Sequence, residues 1–259
     1  MTPQALILTY HGVEPAEGPL FVDPALFASH LDCIVESGAS VLTVTELAHA
    51  LRHGTLAGRN VVITFDDGME SVTRLAAPFL AERELRATVF CVAGHVGGQS
   101  NWPSVRPGAP CVALASAEAL AGLVAEGWEI GCHGMTHAPL GTADEESLRR
   151  EIVDAKNVLE ALTGARVTSF AYPYGARPTP EAARLVSSSY EAACSTALGV
   201  AGQASEPYAL PRVDSHYVRR PALLRAALSG ELSGYLRLRR LGASARRTLR
   251  GDFGKVTTA

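Results

Sequence analysis

A chain of 259 residues, 47% hydrophobic and 19% charged, has the composition of a folded globular protein and room for one large α/β domain, not a disordered segment. No stretch approaches 18 uninterrupted apolar residues, so no membrane-spanning helix is expected. The net charge of -3 hides an asymmetry: residues 211–259 hold 11 basic and 3 acidic side chains, the rest 12 and 23. An acidic body without a recognised reader motif argues against nucleic acid as a partner.

Residues 6–10 read as a first strand, ending at His11 and Gly12. A helix follows over 24–37, with Asp23 as N-cap, Pro24 in the first turn, and Leu26, Phe27, Leu31, Ile34 and Val35 at helical spacing. Residues 41–44 form a short strand and 46–52 a helix whose His49 and His53 are expected to be exposed, with no carboxylate beside them. Val61 to Phe65 is an apolar, largely β-branched run, the signature of a strand buried on both faces. Next come a helix over 70–84 and a strand over 87–92. The Gly- and Pro-rich stretch 93–110 reads as a loop over one end of the fold, in which Trp102 either faces substrate or packs the loop down.

Ser116 caps a helix over 116–126, and 128–132 is a strand. A long amphipathic helix over 144–162 points Leu148, Ile152, Ala155, Leu159 and Leu162 inward and closes at Gly164. Strands over 167–171, 190–194 and 209–213 and a helix over 180–187 complete the body. Strands alternating with helices predict a parallel sheet with right-handed crossovers, and seven or eight such units would close a barrel.

The five cysteines (33, 91, 111, 132 and 194) are odd in number, form no C-x-x-C, and read as reduced core residues. The first ten residues lack a basic region ahead of their short apolar run and do not read as a signal peptide, so a cytoplasmic location is expected. The division expected is a catalytic body over 1–218 and a basic helical tail over 219–259. In the tail, Leu238, Leu241 and Ala245 recur at helical spacing among arginines. That pattern allows peripheral contact with the inner face of an anionic membrane, or a solvated terminal helix.

The chemistry concentrates where the central strand ends, at Thr64-Phe65-Asp66-Asp67-Gly68. Neighbouring strand residues point to opposite faces, so the two carboxylates share a site only if the strand breaks, which Gly68 permits. Two like charges this close need a cation or a shared proton. His133-Gly134-Met135-Thr136-His137 offers two imidazoles on one side of a turn. Two His and one carboxylate leave open positions on a divalent ion, the arrangement of a catalytic site, and the second Asp is then free as a base.

These two motifs, with Phe170-Ala171-Tyr172-Pro173-Tyr174-Gly175, resemble the first three motifs of the polysaccharide deacetylases, the NodB-homology enzymes of carbohydrate esterase family 4. The likeness runs from about Leu6 to Val213, and Leu8-Thr9-Tyr10-His11-Gly12 resembles the opening of one branch. The resemblance implies a distorted (β/α)7 barrel, with Asp66 as base, Asp67, His133 and His137 as metal ligands, and the Tyr174 N–H as oxyanion donor. The ligand set suits zinc, and cobalt, nickel or iron would also fit it.

Two departures from the family pattern stand out. Many members carry an arginine in the third motif that pairs with the base; Ala171 cannot do this, and Arg212 is the candidate replacement, set against a plain surface arginine. The late leucine-x-histidine motif, whose histidine serves as the acid, has no clear match. His11, aimed by its strand end, is favoured as that acid or as a substrate contact, set against a buried histidine bonded to backbone, with His216 as the alternative acid. Tyr10, Trp102, Tyr172 and Tyr174 are the aromatics expected near the mouth. The implied reaction is hydrolysis of an N-acetyl group on an aminosugar of a glycan or its precursor. A small non-sugar amide, or a catalytically dead carbohydrate-binding module, are the alternatives.

Overall fold

The computed structural model describes residues 3–16, 18–104, 110–175 and 178–231. Seven strands run parallel: β1 (Gln4–Tyr10), β2 (Arg59–Phe65), β3 (Thr88–Cys91), β4 (Glu129–Cys132), β5 (Ser169–Ala171), β6 (Ala192–Leu198) and β7 (Leu210–Asp214). Each pairs with the next, and β7 returns to β1, so the sheet closes into a (β/α)7 barrel. The closure is uneven. β1 and β2 pair along their whole length, yet β1 meets β7 only at Leu8 and Thr9, and β2 meets β3 only at Thr64 and Phe65. At their opposite ends short strands take over, Ser40–Leu42 on β2 and Ala201–Gly202, antiparallel, on β1.

The strands' two faces feed two apolar layers, as a period of two requires. Ala5 and Ile7 of β1, Val62 of β2, Phe90 of β3 and Ala171 of β5 belong to the inner layer. Leu6, Leu8 and Tyr10 of β1 and Val61, Ile63 and Phe65 of β2 belong to the outer one. A helix at Val44–His53 (α2, after α1 at Pro24–Glu36) contributes Val44, Leu47 and Leu51 to the inner layer and plugs the end where the strands begin. It starts earlier than its periodicity implies. Thr43 accepts from the Glu46 N–H and Glu46 returns to the Thr43 N–H, a capping box that ends the preceding strand at Leu42.

The outer ring holds α1, α3 (Ala77–Ala81, entered through a π-helical turn at Val72–Ala76), α4 (Ala117–Ala125), α5, α6 (Pro180–Ser189) and α7 (Pro221–Leu228). The helix α5 runs continuously through Glu145–Arg149, a π-helical turn at Arg150–Asp154, and Ala155–Thr163. Beyond that turn Ala155 and Leu159 face inward as expected, but Thr163, four residues on from Leu159, is buried in place of Leu162, which is 41% exposed. Val35, the last of the apolar set in α1, is likewise exposed.

The helix α7 packs on α1: Leu224 is fully buried and Arg225 reaches Glu36. No helix among the described residues is long and apolar enough to cross a membrane. The basic segment 234–250, and the membrane contact expected of it, lies outside the described residues.

Candidate metal centre

The inner-face alternation of β2 runs Val62, Thr64, Asp66 and so carries Asp66 to the mouth of the barrel. Its N–H extends the ladder by one bond, to the Tyr10 carbonyl at 2.9 Å. There the strand breaks. Asp67 and Gly68 both take left-handed backbone angles (φ 71° and 73°), which swings the second carboxylate back over the same mouth. Asp tolerates this conformation better than most residues, because its short polar side chain bonds locally.

The two carboxylates then meet opposite fates. Arg212, from β7, grips Asp66 with both terminal nitrogens, at 2.7 and 2.8 Å. Its Nη1 also reaches Thr64 Oγ1, and its Nε donates to the Ser195 carbonyl at 3.0 Å. Both partners are buried, Asp66 at 4% and Arg212 at 3% exposure. Burial by itself would push the Asp66 carboxyl up, but the guanidinium, with His133 and His11, holds it well below the usual carboxylate range. Arg212 is therefore not a surface residue.

Asp67 has no such partner. Burial pushes its carboxyl up, against the opposing pull of His11 and His133, and its Oδ1 is buried without a hydrogen-bond partner among the described residues. His133 Nε2 lies 3.6 Å and His137 Nε2 3.4 Å from that oxygen. His133 Nδ1 sits 2.8 Å from the Ala171 carbonyl; a carbonyl only accepts, so Nδ1 carries the proton and Nε2 offers its lone pair. The ligand atoms of Asp67, His133 and His137 all fall within 4.8 Å of one another. Four-coordinate zinc with bonds of about 2.0–2.2 Å sets ligand atoms roughly 3.3–3.6 Å apart, and the two separations from Asp67 Oδ1 match that spacing.

His137 is held from several sides. Its backbone is left-handed (φ 55°), its ring stacks on Trp102 at 4.6 Å, and the Tyr174 ring meets it edge-on at 4.5 Å. Ser104 Oγ donates to the His137 carbonyl at 2.8 Å, and the Tyr174 hydroxyl bonds Ser104 in turn. Trp102, 4% exposed, thus packs its loop down by covering the His137 ring. Tyr174 also takes a left-handed conformation (φ 58°), in the turn that Gly175 closes by donating to the Tyr172 carbonyl.

His11 is half-buried at the end of β1, where it exerts a field on both carboxylates and on His137 without an ion pair to either carboxylate. His216 is exposed, in a crevice with Phe21, Val22, His30 and Arg219, none of which belongs to the cluster. Two aromatics expected at the mouth are core residues instead. Tyr10 alternates onto the helix-facing side of β1, against Phe27 and Phe65, and bonds His30; Tyr172 is buried edge-on to Phe170. Cys111 is exposed, unlike the other four free cysteines. His49, expected without an acidic neighbour, pairs with Glu191 across 142 residues of chain.

One residue of the site escapes the sequence reading. Glu151, in the π-helical turn of α5, is 4% exposed and accepts from the Met135 and Thr136 N–H groups and from the Thr136 hydroxyl. The signal was its phase: it stands three residues after Leu148 and four before Ala155, an acidic side chain on the buried face of an amphipathic helix.

Comparison with known proteins bears on the same residues. A poly-beta-1,6-N-acetyl-D-glucosamine N-deacetylase of Staphylococcus aureus (strain N315) is 26% identical over 165 residues, 60% of this chain and 53% of that protein, so the match spans about half the relative's length. Among solved structures, the Streptococcus pyogenes deacetylase PplD in complex with acetate is 25% identical with a TM-score of 0.70, covering 82% of this chain and 93% of that one. IcaB from Ammonifex degensii is 25% identical with a TM-score of 0.71, over 86% and 98% of the two chains. The family model described as polysaccharide deacetylase matches residues 53–193, more than half of the chain and the stretch that holds Asp66, Asp67, His133 and His137. The chain belongs to the polysaccharide deacetylase family, hydrolases of carbon–nitrogen bonds other than peptide bonds.

Proposed function

We propose that this protein is a metal-dependent deacetylase that removes N-acetyl groups from an aminosugar within a glycan, with zinc as its metal. The observation that carries this reading is the pairing of a buried Asp67–His133–His137 group, whose Asp67 Oδ1 has no hydrogen-bond partner among the described residues, with an adjacent carboxylate that Arg212 keeps ionised. Asp67, His133 and His137 would hold the divalent ion, which would supply Lewis-acid polarisation of the amide carbonyl and a more acidic water molecule. Asp66 accepts the proton of the attacking water, and the bidentate guanidinium fixes the direction of its carboxylate. The Tyr174 N–H donates to the oxygen that becomes negative as the carbonyl carbon turns tetrahedral.

His11, within the field of both carboxylates, delivers a proton to the departing nitrogen as the C–N bond breaks. Acetate and a free amine result. The glycan substrate is supported by the staphylococcal relative, whose name specifies poly-N-acetylglucosamine, and the acetate product by the ligand of the streptococcal structure.

The test is acetate release from β-1,6- and β-1,4-linked N-acetylglucosamine oligomers, set beside simple acetamides, before and after EDTA and again after zinc is restored. Release from the oligomers that EDTA abolishes and zinc restores supports the reading. Release confined to the simple amides would move the substrate class, and release indifferent to EDTA would remove the metal.

A further inference from the structure

The loop that carries both histidine ligands has almost no structure of its own. Between His133 and His137 its backbone includes Gly134 at φ 87° and ends on His137 itself in the left-handed region. A non-glycine residue there is strained by about 1–3 kcal/mol, and such a conformation persists only where the surroundings over-determine it. One side of the loop hangs on the barrel: His133 N–H donates to the Cys91 carbonyl, and the Gly134 and Met135 carbonyls accept from the Ala93 and Gly94 N–H groups. These bonds leave the Met135 and Thr136 N–H groups to be satisfied from the other side.

Glu151 does this. Its Oε2 accepts the Met135 N–H at 2.8 Å and the Thr136 N–H at 3.0 Å, and its Oε1 accepts the Thr136 hydroxyl. Among the described residues no ion pair involves Glu151, so the buried carboxylate is devoted to the loop. The fit is tight. A Cβ on Gly134 would meet Glu151 Oε2 at 2.7 Å, so the carboxylate and the loop leave no room for a side chain there. The π-helical turn of α5 is what places Glu151 and Ile152 inward together.

We infer that Glu151 is a positioning residue for the metal centre: it holds the 133–137 loop in the one backbone conformation that brings His137 Nε2 to Asp67. The inference rests on the metal reading above, but the tether itself does not. Residues that orient ligands without touching the ion typically change metal affinity by about 10–100-fold when removed.

Two readouts separate the parts. In EDTA, amide exchange at Met135 and Thr136 reports the tether without any metal. Zinc titration of the apo-protein against a competing chelator reports its consequence. Glu151→Ala should lose protection at both amides and bind zinc about 10–100-fold more weakly than wild type. Glu151→Gln, which keeps an acceptor oxygen for the two N–H groups, should stay closer to wild type than to the alanine variant. Thr136→Val deletes only the hydroxyl arm; should the alanine variant not fold, it must show the same direction of loss. Zinc affinity at the wild-type level in Glu151→Ala, or in Thr136→Val should the alanine variant not fold, or unchanged amide protection in Glu151→Ala, overturns the inference. Wild type that binds no zinc overturns the centre itself, with the amide exchange still reporting whether the tether is real.

Discussion

Arg212→Met tests the buried ion pair by removing the guanidinium while filling much of its space. Asp66 would then be a buried carboxylate without a counter-charge. Breaking one side of such a pair costs about 3–5 kcal/mol, and at 3% and 4% exposure solvent cannot relieve much of it. For a domain of this size each kcal/mol moves Tm by about 2–4 °C, so the melt should fall by roughly 6–20 °C. The assay is thermal unfolding in EDTA, which removes any stabilisation by metal, with Asp66→Asn and the double variant completing a cycle.

The pH dependence has a definite sign. In wild type Asp66 lies below its unfolded value of about 3.9, so its contribution is fully present above that pH and is lost as pH falls through the lower, folded value. In Arg212→Met burial is no longer outweighed by the guanidinium, the folded value rises, and protonation relieves the variant. The gap in Tm between the two proteins should therefore be widest near neutrality and narrow as pH falls toward about 4. A gap under about 2 °C at neutral pH, or one of constant size across that range, would refute the account.

Asp67→Asn and His133→Ala should each lose bound zinc and with it the rise in Tm that zinc gives wild type, about 2.7 kcal/mol at a hundredfold excess over Kd; unchanged zinc content in either would remove that ligand. His11→Gln should lower kcat by about 10²–10⁴-fold, whereas His216→Gln, outside the cluster, should leave it unchanged; the reverse result reassigns the acid. Trp102→Ala should cost about 3–5 kcal/mol of stability because the ring is buried against His137; a raised KM with an unchanged melt would instead show that it faces substrate.

Much of the centre is legible in local sequence. The apolar run Val61–Phe65 declares a buried strand, Gly68 permits the break after it, and two histidines four residues apart declare a shared turn. The helix starts at Asp23 and Ser116 are legible for the same reason, since a cap bonds within three residues of itself. Periods of two and 3.6 place most of the core, and fail at the end of α5, where Thr163 turns inward and Leu162 outward.

What differs between Asp66 and Asp67 is not local. They are the same residue type side by side, and only the left-handed turn at Asp67, together with an arginine 146 residues beyond Asp66, makes one a paired carboxylate and leaves the other's Oδ1 without a hydrogen-bond partner among the described residues. Glu151 and Tyr10 show the same limit: one is an acidic residue in an amphipathic helix, the other a tyrosine beside a histidine, and nothing within a turn of either reveals its partners. Local sequence sets which side chains could do the chemistry and which elements carry them, because those preferences depend on contacts a few residues apart. Barrel closure decided which of them meet, because pairing across strands is fixed only when β7 returns to β1 and every element has packed.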